Sequence, residues 1–325
     1  MKKLLVFITI AILACSSTYE ANAVKKVTRK CAPYIFFGMR GSGQNIENGP
    51  LILKDFGPEI ASLYTSLSIR PKFKGKIEWA KLKSQNANSQ YLAQDVTLSK
   101  EFIDSITIDA TKALSSQFNL YLKKCEKDTK FIFAGYSQGA YATHWLINEL
   151  EKNNKGVLKR IVGVVLLADP GKPKEGMFDL AWSIKYDAKY KLLYDTLMKC
   201  PDMKNLNNQA VDFCITTMSV LNYAATSETK LLEPKIVPVY NFDHDGDLVS
   251  DTTNWLNSAV EKLLANFILT GLNGLAEWIN EGASIHGSYC PTTGPYISFF
   301  NTGKCRAQNY SEFISSSIGF LERNI

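Results

Sequence analysis

Gly135-Tyr136-Ser137-Gln138-Gly139 sets a serine between two glycines, directly after the short apolar run Thr129 to Ala134 and directly before a helical pattern from Ala140 to Glu151. This G-x-S-x-G spacing suits nucleophilic catalysis. At a strand-to-helix elbow the serine is forced into a strained turn in which bulky neighbours would clash. A glycine on either side lets strand and helix close up while Oγ projects above the sheet edge. The helix amino terminus directs N–H groups and partial positive charge at the place where an oxyanion would form. A serine hydroxyl is a poor nucleophile near neutral pH, so a base must lie within hydrogen-bond reach and an acid must orient that base.

Three histidines compete for the role of base: His144, His244 and His286. His144 lies two helical turns beyond Ser137, about 10 Å along the axis, too far for its imidazole to meet Oγ, and reads as a packed or surface residue. His244 shares a short loop with the candidate carboxylates, and a base three residues from its acid could not easily face the serine together with it. His286, in Ile285-His286-Gly287-Ser288-Tyr289 before the closing helix around Ser311 to Arg323, is the choice. The acid should follow a strand's carboxyl end between serine and histidine. Asp169, Asp243, Asp245, Asp247 and Asp251 all qualify by position. Asp247 is preferred because Leu248 and Val249 give it an apolar seat. The other loop aspartates read as solvating or capping groups, and Asp169-Pro170 as a strand terminator. Asp243, Asp245 and Asp247 mimic part of an EF-hand loop, but the twelfth position is Asn254 where glutamate is needed, so no metal and no cofactor is expected.

The elements that must position these groups alternate. Apolar runs at Ala32 to Phe37, Lys76 to Leu82, Thr129 to Ala134, Ile161 to Ala168 and Lys235 to Phe242 read as strands, and Ser99 to Lys124 and Ala140 to Glu151 as helices. Such alternation implies right-handed βαβ units and a mainly parallel sheet with helices on both faces, an α/β fold. Two stretches interrupt it as insertions, at about 172–234 and 253–281. In the second, Thr253 to Ile279 carries a wide apolar stripe from Trp255 to Ile279 that reads as a helix or helical hairpin on the core. Asn266, Thr270, Asn273 and Glu277 disfavour a membrane span.

Of the 325 residues 46% are apolar and 21% charged, which excludes disorder and collagen-like architecture. The net charge of +6 is nowhere gathered into a basic tract, so no nucleic-acid partner is expected. Lys2 and Lys3, the apolar Leu4 to Ala14 and the small residues of Ala21-Asn22-Ala23 form a signal peptide over 1–23, with residues 24–325 as one mature domain. Ile12-Leu13-Ala14-Cys15 loosely matches a lipoprotein box, so anchoring at Cys15 is the alternative. Cleavage after Ala23 turns seven cysteines into an even set, which in an exported chain reads as a disulfide framework.

The order of motifs resembles the cutinases and related acetylxylan esterases. The nucleophile region Gly135 to Ala140 preceded by Cys125, the loop Phe37-Gly38-Met39-Arg40-Gly41-Ser42-Gly43, Asp169-Pro170, Gly246-Asp247-Leu248-Val249 and His286-x-x-Tyr289 each find a counterpart in that family. The resemblance implies a three-layer α/β/α sandwich of the α/β-hydrolase type, a triad of Ser137, Asp247 and His286, and an oxyanion hole from Ser42 and Gln138. It further implies a disulfide between Cys31 and Cys125, with Cys200 to Cys214 and Cys290 to Cys305 as local pairs. The family usually brackets its acid with a disulfide. Here Asp243 and Ser250 stand at those positions, so the acid loop must be held in another way.

The expected function is that of a secreted serine esterase acting on acyl esters of lipid, polyester or acylated polysaccharide through an acyl-enzyme. The 253–279 stripe offers a surface for acyl chains or lipid. Acyl transfer to a sugar or lipid hydroxyl is an alternative within enzymes, and a non-catalytic glycan- or lipid-binding module on the same fold is the alternative outside them.

Overall fold

Tyr34–Met39 and Lys130–Tyr136 are apolar at nearly every position, the composition of strands covered on both faces rather than half solvated. The computed structural model describes residues 31–42, 44, 50–81, 108–199, 221, 230–245, 247, 249–252, 289 and 307–325. The strands are β1 (Tyr34–Met39), β2 (Ile77–Trp79), β3 (Lys130–Tyr136), β4 (Ile161–Leu167) and β5 (Val239–Phe242). They form a five-stranded sheet in the order β2-β1-β3-β4-β5, and every pairing is parallel. The helices used below are α1 (Leu51–Ser68), α2 (Ala110–Lys124), α3 (Gln138–Asn153), α4 (Met177–Tyr186), α5 (Lys191–Lys199) and α6 (Ala307–Arg323).

Alternate residues of each strand face opposite sides, and each side has its own core. Phe37, Phe131, Phe133 and Leu166 pack with Leu114 and Phe118 of α2 and Ile147 of α3. Phe36, Ile132, Val165 and Leu167 pack with Phe56 and Ile60 of α1 and Phe313 and Leu321 of α6. The result is the expected three-layer α/β/α sandwich. The ring of Phe37 stacks on Phe133 at 4.8 Å while Phe118 meets both edge-on, so three buried aromatics fix β1, β3 and α2 together. The Cys31–Cys125 disulfide joins the approach to β1 to the end of α2 across a sequence separation of 94.

Several boundaries differ from expectation for physical reasons. β5 begins at Val239 rather than Lys235, because Pro234 and Pro238 lack N–H groups and those of Lys235 and Ile236 are taken by the Glu151 carboxylate. α1 is absent from the sequence reading because Gly57-Pro58 interrupts its pattern. Gly57 takes φ 71° and the chain bends there. The long excursion beginning at Lys172 contributes α4 and α5, and Phe178, Ala181 and Ile184 of α4 pack with Tyr141 of α3. The segments 1–23 and 253–281 lie outside the described residues. No helix among the described residues is long and apolar enough to cross a membrane.

From β1 the chain first builds β2 on one side, then returns to build β3, β4 and β5 on the other. The winding therefore reverses between β1 and β3. In open parallel sheets the crevice outside the strand carboxyl ends at such a reversal is where ligands bind. Arg40 to Ser42 follow β1, and Ser137 follows β3.

Candidate active site

Ser137 sits between β3 and α3 at φ 51° and ψ −116°, a left-handed conformation rare for a residue with a side chain. Such strain costs on the order of 1–3 kcal/mol and persists because the surroundings over-determine it. The Ser137 N–H donates to Leu167 O at 2.9 Å and its carbonyl accepts from Tyr141 N at 3.0 Å, locking the bend to β4 and to the first turn of α3. The flanking glycines are needed for space. A Cβ on Gly135 would lie 2.3 Å from the carbonyl oxygen of Gly139, and one on Gly139 would lie 2.4 Å from that of Met39. Gly41 closes on the same bend, where a Cβ would stand 3.2 Å from that of Ser137.

The loop after β1 is braced from within. The Gly41 N–H donates to Gln44 Oε1 at 2.9 Å, and Gln44 Nε2 donates to the buried Glu59 at 2.5 Å. Ser42 Oγ donates to Gln138 Oε1 at 3.2 Å. The two residues expected at an oxyanion hole thus touch, and Gln138 opens α3 at the positive end of its dipole.

Asp247 is fully buried. That burial is as expected, and two donors hold its carboxylate. Tyr289 Oη donates to Oδ2 at 2.8 Å and the Val249 N–H donates to Oδ1 at 2.7 Å. The Tyr289 oxygen in turn accepts the His244 N–H at 2.6 Å, and the His244 ring stacks on that of Tyr289 at 4.1 Å. Burial first, and then the Asp247 charge, push the Tyr289 phenol well above its ordinary pKa, so it stays protonated as a donor. Burial, Glu59 and Asp247 do the same to Tyr136, whose ring lies 5.9 Å from that of Tyr289 and links the serine elbow to the acid. His286 lies outside the described residues, as do Cys200, Cys214, Cys290 and Cys305.

His144 faces the core, not the serine. It is 1% exposed, its Nδ1 meets Asp169 Oδ2 at 2.6 Å, and its Nε2 meets Leu232 O at 2.9 Å. With acceptors at both ring nitrogens the imidazolium suits the site. Burial alone would lower its pKa, but the Asp169 carboxylate and the Leu232 carbonyl leave it raised. Asp169 also accepts the Gly171 N–H at 2.9 Å, so it terminates the strand and anchors a helix at once.

The loop carrying Asp247 is fastened to the turn after β4. Lys172 Nζ meets Asp243 Oδ2 at 2.6 Å and also pairs with Glu175. The Met177 N–H donates to Val249 O at 2.9 Å, and both the N–H and the hydroxyl of Thr252 donate to Glu175 O. Asp243 is therefore an ion-pair partner and not a solvating group. Ser250 is fully buried, with no hydrogen-bond partner for its hydroxyl among the described residues. Sequence reasoning set His144 aside as a base and did not single out Lys172 or Glu175. No local spacing marks these pairs, which only the juxtaposition of strand ends creates. Tyr289 entered only as part of a motif.

The cutinase family model matches residues 30–190, a stretch that includes β1 to β4, Ser42 and Ser137. Over those residues the chain matches the cutinase family. The family supports ester hydrolysis as the class of reaction. Among solved structures, a cutinase-like protein from Cryptococcus sp. is 15% identical at TM-score 0.34, over 70% of this chain and 82% of that one. Lysin B from Mycobacteriophage D29 is 15% identical at TM-score 0.37, over 90% and 87%. A Vlm2 thioesterase domain is 16% identical at TM-score 0.28, over 71% and 83%. No curated protein matches this chain.

Proposed function

We propose that this cutinase-family protein is an exported serine esterase that hydrolyses acyl esters of lipid, polyester or acylated polysaccharide through Ser137, His286 and Asp247. The observation that carries the reading is the strained elbow at Ser137, packed so tightly by Gly135, Gly139 and Gly41 that its side chain has one direction to take. His286 takes the proton from Oγ as Oγ bonds to the acyl carbon, and Ser42 and Gln138 receive the oxyanion. The alcohol leaves with the proton from His286, and water, deprotonated by the same base, releases the acid. Tyr289 and the Val249 N–H hold the Asp247 carboxylate so that it can orient His286 and stabilise its charged form. His286 stands three residues from Tyr289, within about 10 Å of extended chain, which supports its reaching this carboxylate. Residues 1–23 are removed on export, and residues 24–325 act as one domain with insertions at about 172–234 and 253–281.

A fluorophosphonate probe tests the reading. Wild-type protein is expected to label, and Ser137→Ala and His286→Ala to lose labelling while unfolding at the wild-type temperature. Equal labelling of Ser137→Ala and wild type would overturn it. A p-nitrophenyl ester series from acetate to palmitate then assigns the acyl class, acetate-only turnover pointing to acylated polysaccharide and a long-chain optimum to lipid or polyester.

A further inference from the structure

Two ion pairs that the proposed chemistry does not use run outward from the turn after β4 to other elements of the described site. At one end Asp169 pairs with His144, on the helix that starts beside Ser137. At the other, Lys172 pairs with Asp243 at the head of the acid loop, with side chains 19% exposed on both partners. The same turn grips the far side of that loop through Met177 N–H to Val249 O and Thr252 N–H to Glu175 O. Gly176 makes the tight return possible, since a Cβ there would lie 2.4 Å from Pro170 O. The turn therefore holds the nucleophile helix with one charge pair and the acid loop with another.

We infer that Lys172 is a positioning residue for Asp247, its ammonium clamping the acid loop to the turn after β4 and so fixing the carboxylate relative to the serine elbow. The inference rests on the reading of Asp247 as the catalytic acid. Lys172 touches neither Asp247 nor Ser137 in any described contact and acts through Asp243. Burial pulls its pKa down, but hydrogen bonds to Asp243 and Glu175 leave it raised, so the ammonium stays charged at neutral pH, while burial raises the Asp243 carboxyl against the pull of Lys172. Asp243 lies 71 residues from Lys172 in the chain, so the pair closes the loop only in the folded protein. The loop is internally stiff, with Asp247 N–H to His244 O at 3.0 Å and Asp251 N–H to Asp247 O at 2.8 Å. The first of these ties Asp247 to His244, the chain neighbour of Asp243, and so gives a displacement at Asp243 a route to the carboxylate.

The test compares wild type, Lys172→Met, Lys172→Arg and Asp243→Asn by steady-state hydrolysis of p-nitrophenyl butyrate from pH 5 to 9. Misplacing an orienting group costs rate rather than affinity, so Lys172→Met is expected to lower kcat on the order of tenfold with KM within about twofold. The acid limb of kcat/KM is expected to move to lower pH, because a loosened carboxylate stabilises the imidazolium of the base less. Lys172→Arg should recover most of kcat, and Asp243→Asn should reproduce the loss. Asp243→Asn leaves Lys172 its Glu175 partner, so it remains folded should Lys172→Met fail to accumulate. Wild-type kcat and acid limb in a folded Lys172→Met or Asp243→Asn variant would overturn the inference. Activity that survives Ser137→Ala would overturn the esterase reading, a separate failure.

Discussion

Replacing Asp169 by asparagine removes one charge from the most deeply buried ion pair among the described residues without changing shape. In the wild type His144 and Asp169 are each 1% exposed at the side chain, and the imidazolium is satisfied at both nitrogens. Removing one partner of a buried pair costs about 3–5 kcal/mol because the other charge is stranded. Two features place this site at the lower end. The asparagine oxygen can still accept the Gly171 N–H at the place where Asp169 accepts it at 2.9 Å, and His144 can shed its proton. Neutral His144 would keep its Nε2–H on Leu232 O and accept the asparagine N–H at Nδ1, which leaves a deficit near that of one ordinary hydrogen bond, about 1 kcal/mol.

The sign with pH follows from the raised pKa of His144. Its stabilising contribution is fully present below the unfolded value of about 6.5 and is lost as pH rises through the folded value. In Asp169→Asn the carboxylate is gone and burial then works against charging the ring, so that variant weakens as pH falls. Both effects widen the gap in acid. Urea unfolding followed by tryptophan fluorescence is expected to show Asp169→Asn less stable than wild type by about 3 kcal/mol at pH 5.5, narrowing toward about 1 kcal/mol at pH 9. A deficit under about 1 kcal/mol at pH 5.5, or one that grows toward alkaline pH, would refute the assignment of an imidazolium to this site.

Three other outcomes are expected. Gly139→Ala drives a methyl into the Met39 and Arg40 carbonyls, so fluorophosphonate labelling of Ser137 should fall by at least tenfold in whatever soluble protein is recovered. Tyr289→Phe removes the donor to Asp247 and the acceptor of the His244 N–H. It should destabilise the fold by about 1–3 kcal/mol in urea titrations and lower kcat for p-nitrophenyl butyrate with KM nearly unchanged. Opening the Cys31–Cys125 bridge by Cys31→Ser/Cys125→Ser frees a loop of separation 94, and calorimetry should record a loss of about 4–5 kcal/mol.

What the sequence made legible follows its local order. Ser137 stood out because two of the groups that constrain it, Gly135 and Gly139, lie within two residues in the chain, and their close contacts bear out the steric argument made from spacing alone. The strands were legible because both-face burial leaves continuous apolar runs; most ends moved by one to three residues, and the start of β5 moved by four, where proline removed donors. Asp247 was one of five aspartates that position allowed and was chosen for an apolar seat; the structure buries it, and a phenol and a backbone N–H hold its carboxylate. His144 was set aside correctly as a base, since distance along a helix is a local quantity. Its partner Asp169 was not foreseen, because the pairing depends on where β4 ends relative to the second turn of α3. Lys172 looked like one lysine among many at the start of a polar excursion.

The order of strands places the turn after β4 where the inferred positioning role requires it. With β3, β4 and β5 adjacent and parallel, Ser137 leaves one strand end and the loop of Asp247 leaves another two strand spacings away, about 10 Å across the sheet. Whatever follows β4 emerges between them. A flexible turn there would let the two ends move independently, whereas a turn paired to the helix on one side and to the acid loop on the other makes a single rigid edge. A covalent bracket around the acid would stiffen only the acid loop itself. Asp243, standing where such a bracket would begin, instead ties the loop through Lys172 to the same turn that holds the nucleophile helix.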